Sequence, residues 1–269
     1  MIKGLLVVEL EDGSHAGTAS QMNGTVVPAE SGEFEVAFNQ EVGGMMDSAT
    51  QEVEKFMRVR HGKKLPTGTR IELAFADKYA PKDGPSVAVV SALLCDSIIS
   101  GDEIDPGFAA TGDMTATGEV RPIGGLTGKI HGAIKKDCAL LGAPKANEKS
   151  INDLLLLEGI KPLYQIQLFT LETFEEARAV AMKERSADMQ KAIDEFVQVQ
   201  KALSRNEAYL RNAKVREKLR NDQKLAPKHA AGRHLFLTSD GKARKTVTEH
   251  GTLRAIEKAG GSVGARVGD

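Results

Sequence analysis

The 269-residue chain carries 36 basic and 37 acidic side chains, a formal net charge of −1, and 41% apolar residues. That balance fits a globular chain of one large domain, or of a domain with an appendage; no apolar run approaches the roughly 20 residues of a membrane-spanning helix. The opening MIKGLLVVEL has one lysine before a short apolar run and no small-residue cleavage site, so it reads as a first strand and not as a secretory leader.

In chain order, KGLLVVEL, NGTVVPA and EFEVAFN read as short strands between Gly, Ser and Asn turns. GGMMDSATQEVEKFMRVRHGK spaces Met45, Met46, Val53, Phe56 and Met57 at three- and four-residue steps, an amphipathic helix closed by Gly62. TRIELAFAD alternates apolar and polar residues as a half-buried strand does. SVAVVSALLCDSIIS is apolar nearly all round, the pattern of a buried helix. Two glycine-punctuated segments then lead to Gly124-Gly125, with a helix beginning near Leu126. The alternation predicts an α/β domain.

Past about residue 183 the reading becomes mostly helical, with SADMQKAIDEFVQVQKALS and then two helices broken at Pro227. Residues 1–200 carry 20 basic and 30 acidic side chains, residues 201–269 carry 16 and 7. Such a break marks a change of module. The expected division is a domain over 1–183 and a helical extension over 184–269 with a flexible tail, the basic extension drawn to the acidic body. No aromatic residues interleave with the basic ones, so nucleic acid is not an expected partner. LAPKHAAGRHL looks like one junction between tetratricopeptide-type repeats, and one junction does not make an array.

The chemistry gathers around Ser86. Pro85 and Gly84 shape a turn that sets its hydroxyl at the N-terminal edge of the buried helix, where amides lack internal partners and carry partial positive charge. Taken alone, the commoner role of such a serine is a helix cap. A nucleophile needs a base, and neither His61 nor His131 sits in a triad context. Lys129, in the first turn of the helix after Gly125, has the apolar neighbours Ile130, Ala133 and Ile134. A lysine serves as base only when neutral, and an apolar setting or a helix N-terminus lowers its pKa. Cys95 and Cys138 have no metal-like spacing and suggest a reduced, cytoplasmic chain, and the six histidines form no HxxH or HxxxH pair.

PKDGPS ending at Ser86, followed by ATGDMTATGEVRPIGGLTGK ending at Lys129, resembles the proteolytic domain of Lon, the Ser–Lys peptidase family. GGMMDSATQEV and LLGAPKAN are similar to further family segments, and the resemblance spans roughly residues 1–183. It implies a Lon-protease-like mixed sheet with helices (ribosomal protein S5 domain 2-like), followed by the small α-helical extension. It also implies Ser86 as nucleophile, Lys129 as base, Thr111 orienting the lysine, and Asp83, Gly84 and Pro85 as the turn presenting the serine. Departures are Val87-Ala88 for Ala-Gly, Asp113 for glutamate and Thr127-Gly128 for a charged pair; none removes a catalytic group.

The implied activity is a serine-type endopeptidase cleaving unfolded proteins or peptides without ATP, cofactor or metal, in a homohexameric ring. The strand IELAFADKYA is the expected edge for pairing with a substrate. No GxxxxGK[ST] phosphate loop occurs at Gly62, Gly128 or Gly241, and the first strand starts at about Lys3, so no ATPase region is expected in the chain and a separate unfoldase is a candidate partner. GGSVG around Ser262 fits a nucleophile elbow by pattern but lacks the following acid and histidine. The competing reading is a non-proteolytic scaffold that keeps the fold for assembly or partner binding.

Overall fold

A computed structural model describes residues 1–9, 15–77 and 82–240; the expected flexible tail, with Gly241 and the run around Ser262, lies outside the described residues. The strands and helices follow in the order β1 (Ile2–Glu9), β2 (His15–Pro28), β3 (Glu35–Phe38), α1 (Gly44–His61), β4 (Thr69–Phe75), α2 (Ala88–Ser100), β5 (Phe108–Ala110), β6 (Asp113–Met114), β7 (Val120–Arg121), α3 (Leu126–Lys135), β8 (Leu140–Pro144), α4 (Glu148–Glu158), α5 (Lys161–Gln165), β9 (Gln167–Leu171), α6 (Phe174–Ala181), α7 (Ala187–Arg205), α8 (Ala213–Leu225) and α9 (Ala230–Ser239). Seven strands form one sheet in the order β3-β4-β2-β1-β5-β8-β9, and β6 pairs with β7 apart from it. The sheet is mixed: β1–β2 and β2–β4 are antiparallel, while β3–β4, β1–β5, β5–β8 and β8–β9 are parallel. The α/β mixed-sheet expectation is met.

Alternation of side chains across the sheet divides the core into two. Phe108 and Ala110, Leu140, and Phe169 and Leu171 point to one layer, with α1, α2 and α6. Their neighbours Ala109, Leu141 and Leu168 point to the other, with α3, α4 and α5. In α2 every residue from Ala88 to Asp96 is buried, which is why its sequence shows no polar face. Asp96 is the exception in kind. It accepts hydrogen bonds from Arg60 Nε and Arg178 Nε at 2.7 Å each, and lies 2.9 Å from His61 Nε2. Burial pushes its pKa up, but the guanidinium groups of Arg178 and Arg60 outweigh that and hold it below 3.8.

Two expectations change. β2 begins at His15, well before NGTVVPA, and pairs with β1 from Ile2↔Met22 to Glu9↔His15. Its first half is too small and polar to signal a strand, and the ladder imposes the conformation. β4 is not a sheet edge, because β2 pairs along one side and β3 along the other. A peptide cannot add to it over Arg70–Leu73, where both sides are paired; Ala76 and Asp77 of the expected edge line the cavity described below, and residues 78–80 lie outside the described residues.

The helices after residue 186 fall as the period indicates, with Pro227 between α8 and α9. Their packing differs from the charge-led docking expected. Phe196, Val199, Leu203, Leu219 and Leu235 belong to the same buried cluster as Leu141 and Leu168. Thr170 N donates to Lys228 O at 2.8 Å along β9, and the His229 ring stacks on Phe169 at 4.4 Å. Ion pairs of Lys228 with Glu176 and of Arg233 with Glu148 accompany this contact. A partly exposed pair contributes up to about 1 kcal/mol, whereas each buried leucine contributes about 1.5–3 kcal/mol. Apolar burial dominates.

Candidate active site

The site begins with a helix pressed unusually close to a strand. Gly125, at φ 68° and ψ 28°, adopts the left-handed conformation that a side chain disfavours, and α3 starts directly after it. α3 then crosses β2 so tightly that a Cβ on Gly132 would stand 2.5 Å from the Gly17 carbonyl carbon and from Thr18 N. A Cβ on Gly17 would stand 1.8 Å from Gly128 O. With no side chain between the backbones, Lys129 is held in the interior at 3% exposure.

There Lys129 Nζ donates to Thr111 Oγ1 at 3.0 Å, and Thr111 Oγ1 donates to Ser86 O at 3.2 Å. Gly112 N donates to the same Ser86 carbonyl at 2.9 Å. Thr111 is fully buried at the end of β5, its own amide bonded to Gly142 O. Burial, with no carboxylate to offset it, lowers the Lys129 pKa from 10.5 to about 8.

Ser86 stands in the 3-10 turn Pro85–Val87 that leads into α2. Gly84 before it has φ 108° and ψ 146°, a backbone conformation suited to glycine. Asp83 anchors this turn: its Oδ1 accepts from Met46 N at 3.0 Å and from Gly84 N at 2.7 Å. It thus places a carboxylate at the first turn of α1, where it shares the Met46 amide with Gly43 O. Gly43 makes room for that carboxylate, since a Cβ there would sit 2.1 Å from Asp83 Cγ.

Ser86, Lys129, Asp83, Gly84 and Pro85 all line one cavity of about 970 Å³, and Thr111 lies behind it, joining the lysine to the serine backbone. Among the described residues no histidine lines this cavity. His61 is committed to Asp96, and His131 lies 3.0 Å from Glu158. Sequence reasoning missed Gly17, Gly43 and Gly132. The GKIHG spacing at 128–132, small residues four apart on one helix face, was the available signal for a close approach. It also missed Leu6 and Val7, which line the cavity from β1.

Over 185 residues the chain is 28% identical to the archaeal Lon protease of Thermoplasma volcanium, covering 68% of this chain and 27% of that protein. The archaeal Lon protease of Thermococcus kodakarensis is 27% identical over 184 residues, with the same coverage. The Lon protease of Methanosarcina barkeri is 32% identical over 116 residues, 43% of this chain and 14% of that protein. The chain therefore spans about a quarter, or less, of the length of these relatives. Residues 17–183 match the Lon protease (S16) C-terminal proteolytic domain, and the chain belongs to that family.

Proposed function

We propose that the chain is a serine-type endopeptidase in which Ser86 and Lys129 form the catalytic dyad. The observation that carries this reading is a buried lysine of depressed pKa, lining the same cavity as a serine held on a fixed turn. The Thr111 hydroxyl gives its proton to Ser86 O and so offers a lone pair to a Lys129 N–H. The remaining lone pair of the neutral amine is then free to take the Ser86 hydroxyl proton. Ser86 Oγ attacks the scissile carbonyl carbon as its proton passes to Lys129 Nζ. The C–N bond breaks as that proton moves to the leaving amine, and water, deprotonated by Lys129, releases the acyl group as the new carboxylate. The amides of Ala88 and Val89 are bonded to Pro85 and Gly112 carbonyls, so the oxyanion would draw on amides earlier in the turn, at Ser86 and Val87.

A peptide strand would lie on β1 instead of β4. β1 pairs with β5 only at Lys3 and Gly4, which leaves its second edge open at Leu6 and Val7, where it lines the cavity. Unfolded polypeptide is the substrate that fits, because only an extended backbone can pair with a strand edge. Ring assembly belongs to the same proposal and rests on the motif resemblance; nucleotide independence and feeding by a separate unfoldase rest on the lack of a GxxxxGK[ST] phosphate loop in the sequence. The test is cleavage of casein and of a short fluorogenic peptide by wild type and Ser86→Ala, with ATP, with ADP and with neither. Wild type should cleave equally in all three and Ser86→Ala in none. Folded Ser86→Ala protein cleaving at the wild-type rate would overturn the dyad, and cleavage that requires ATP would overturn nucleotide independence.

A further inference from the structure

A second groove of about 950 Å³ lies across the Asp83–Pro85 ridge from the cavity that holds Lys129. The two share Asp83 and Pro85 as a common wall, so Ser86 stands at the boundary between them. The two are chemically unlike. The first is walled by β1, β2 and α3, with Lys82, Lys129 and Lys136 on its lining. The second is walled by the start of α1 and by the β6–β7 hairpin, with Met45 and Met114 among its apolar surfaces. Four carboxylates, Glu52, Asp83, Asp113 and Glu119, face one guanidinium, Arg121.

Not all that charge is available. Asp83 serves Met46 N and Gly84 N, and Glu52 Oε2 accepts from Ala116 N at 3.1 Å while Oε1 pairs with Lys55. Asp113 stands directly opposite Arg121 in the hairpin register and accepts from its neighbour Met114 N. Glu119 is exposed, two residues before Arg121 on the same rim. Met45, at the α1 end of the groove, is 58% exposed and gives an apolar stem somewhere to lie.

Resting on the reading of Ser86 as nucleophile, we propose that this groove receives the substrate on the flank of the scissile bond opposite to the one seated on β1. Its chemistry selects there a long basic side chain, whose methylenes lie on Met45 and whose cation faces Glu119 and Asp113. Continuity with the serine and complementary charge set the occupant. An extended chain crossing Ser86 leaves the first cavity over the ridge that both share.

The experiment uses the full chain and a peptide with one scissile bond mapped by mass spectrometry. Single Lys or Glu residues are placed at successive positions on either flank. The expected result is a Lys-over-Glu preference in kcat/KM of about three- to tenfold at one or two positions of a single flank, the size of a partly exposed charge contact. Glu119→Lys should invert that preference and Asp113→Asn should reduce it, with folding verified by circular dichroism and thermal melting. The same peptides are titrated onto Ser86→Ala protein by fluorescence anisotropy, so charge-dependent binding is read even if Ser86 is not the nucleophile. A preference of equal size in wild type and Glu119→Lys, by both readouts, overturns the assignment. So does a Glu119→Lys protein whose oligomeric mass by light scattering changes while its peptide preference does not, since the groove is then a contact between copies of the chain. Ser86→Ala protein that still cleaves while showing charge-dependent binding would instead count against the dyad alone.

Discussion

Replacing Lys129 by methionine should abolish activity and stabilise the fold at neutral pH. The side chain is 3% exposed, and burial alone lowers its pKa from 10.5 to about 8. A drop of that size, at 1.36 kcal/mol per pKa unit, costs the folded state roughly 3 kcal/mol at any pH below the folded value. Methionine fills a similar volume without a charge to desolvate, and it forfeits the 3.0 Å hydrogen bond to Thr111, worth about 1 kcal/mol. Lys129→Met should therefore exceed wild type by roughly 2 kcal/mol at pH 7, read by denaturant unfolding. The sign fixes the pH dependence. A lysine whose folded pKa is lowered binds fewer protons folded than unfolded between about pH 8 and 10.5, so wild-type stability rises through that window and the excess of the methionine variant shrinks. Cleavage by wild type should rise over the same alkaline limb as the amine becomes neutral. A variant less stable than wild type at pH 7, or a stability gap that is flat from pH 7 to 10.5, would refute a desolvated base.

Ser86→Ala and Lys129→Ala should each remove peptide cleavage, and the double variant should be scarcely worse, since residues that act as a unit are non-additive. Gly132→Ala pushes a Cβ against the β2 backbone and should cost about 1–3 kcal/mol with reduced kcat, while Gly44→Ala, whose added Cβ would meet nothing within 4 Å, should leave the melting temperature unchanged. Asp96→Asn uncouples Arg60 and Arg178 from a buried carboxylate and should cost about 3 kcal/mol at pH 7; because the folded pKa lies below 3.8, that difference should vanish on acidification through the folded value. A chain ending after Lys183 should melt earlier and bind more of a hydrophobic dye than the full chain, and an unchanged melting curve would show that α7–α9 contribute nothing to the core.

The parts legible in the sequence are those whose cause is local. β4 shows its alternation, α2 its continuous burial, and α3 its start after two glycines, because each pattern is written within one element. A lowered pKa at Lys129 was likewise foreseeable from Ile130, Ala133 and Ile134 beside it, of which Ile130 and Ala133 are buried. What was not legible depends on a partner distant in sequence. Whether β4 is an edge depends on β3 and β2, and nothing in TRIELAF encodes its neighbours. HAGTASQM is a strand because β1 pairs with it. Asp83 looked like a shaper of its own turn, yet its carboxylate also reaches the start of α1, some forty residues earlier, through space that Gly43 leaves open.

The same distance-dependence bears on what the extension does. An amphipathic period in α7 says that one face is buried, not against what. In the fold Phe196, Val199 and Leu235 join a cluster that also contains Leu126, Ile130 and Ala133 of α3. α3 thus lies between β2, which it meets backbone to backbone through Gly17 and Gly132, and the helices α4 and α5, with α7 and α9 packed in turn on α5. Lys129 is on that helix, in a position the folded state would relieve by letting α3 move outward until water reached the amine. Both contacts oppose that movement. The strand side fixes how near the helix lies, and the helical layer behind it supplies buried area at about 25 cal/mol per Å² to hold it there. A base kept neutral by burial needs such backing, since its desolvation penalty falls on the element that carries it. The extension therefore backs α3 at one remove, through α5, and none of its described residues lines the cavity with Ser86.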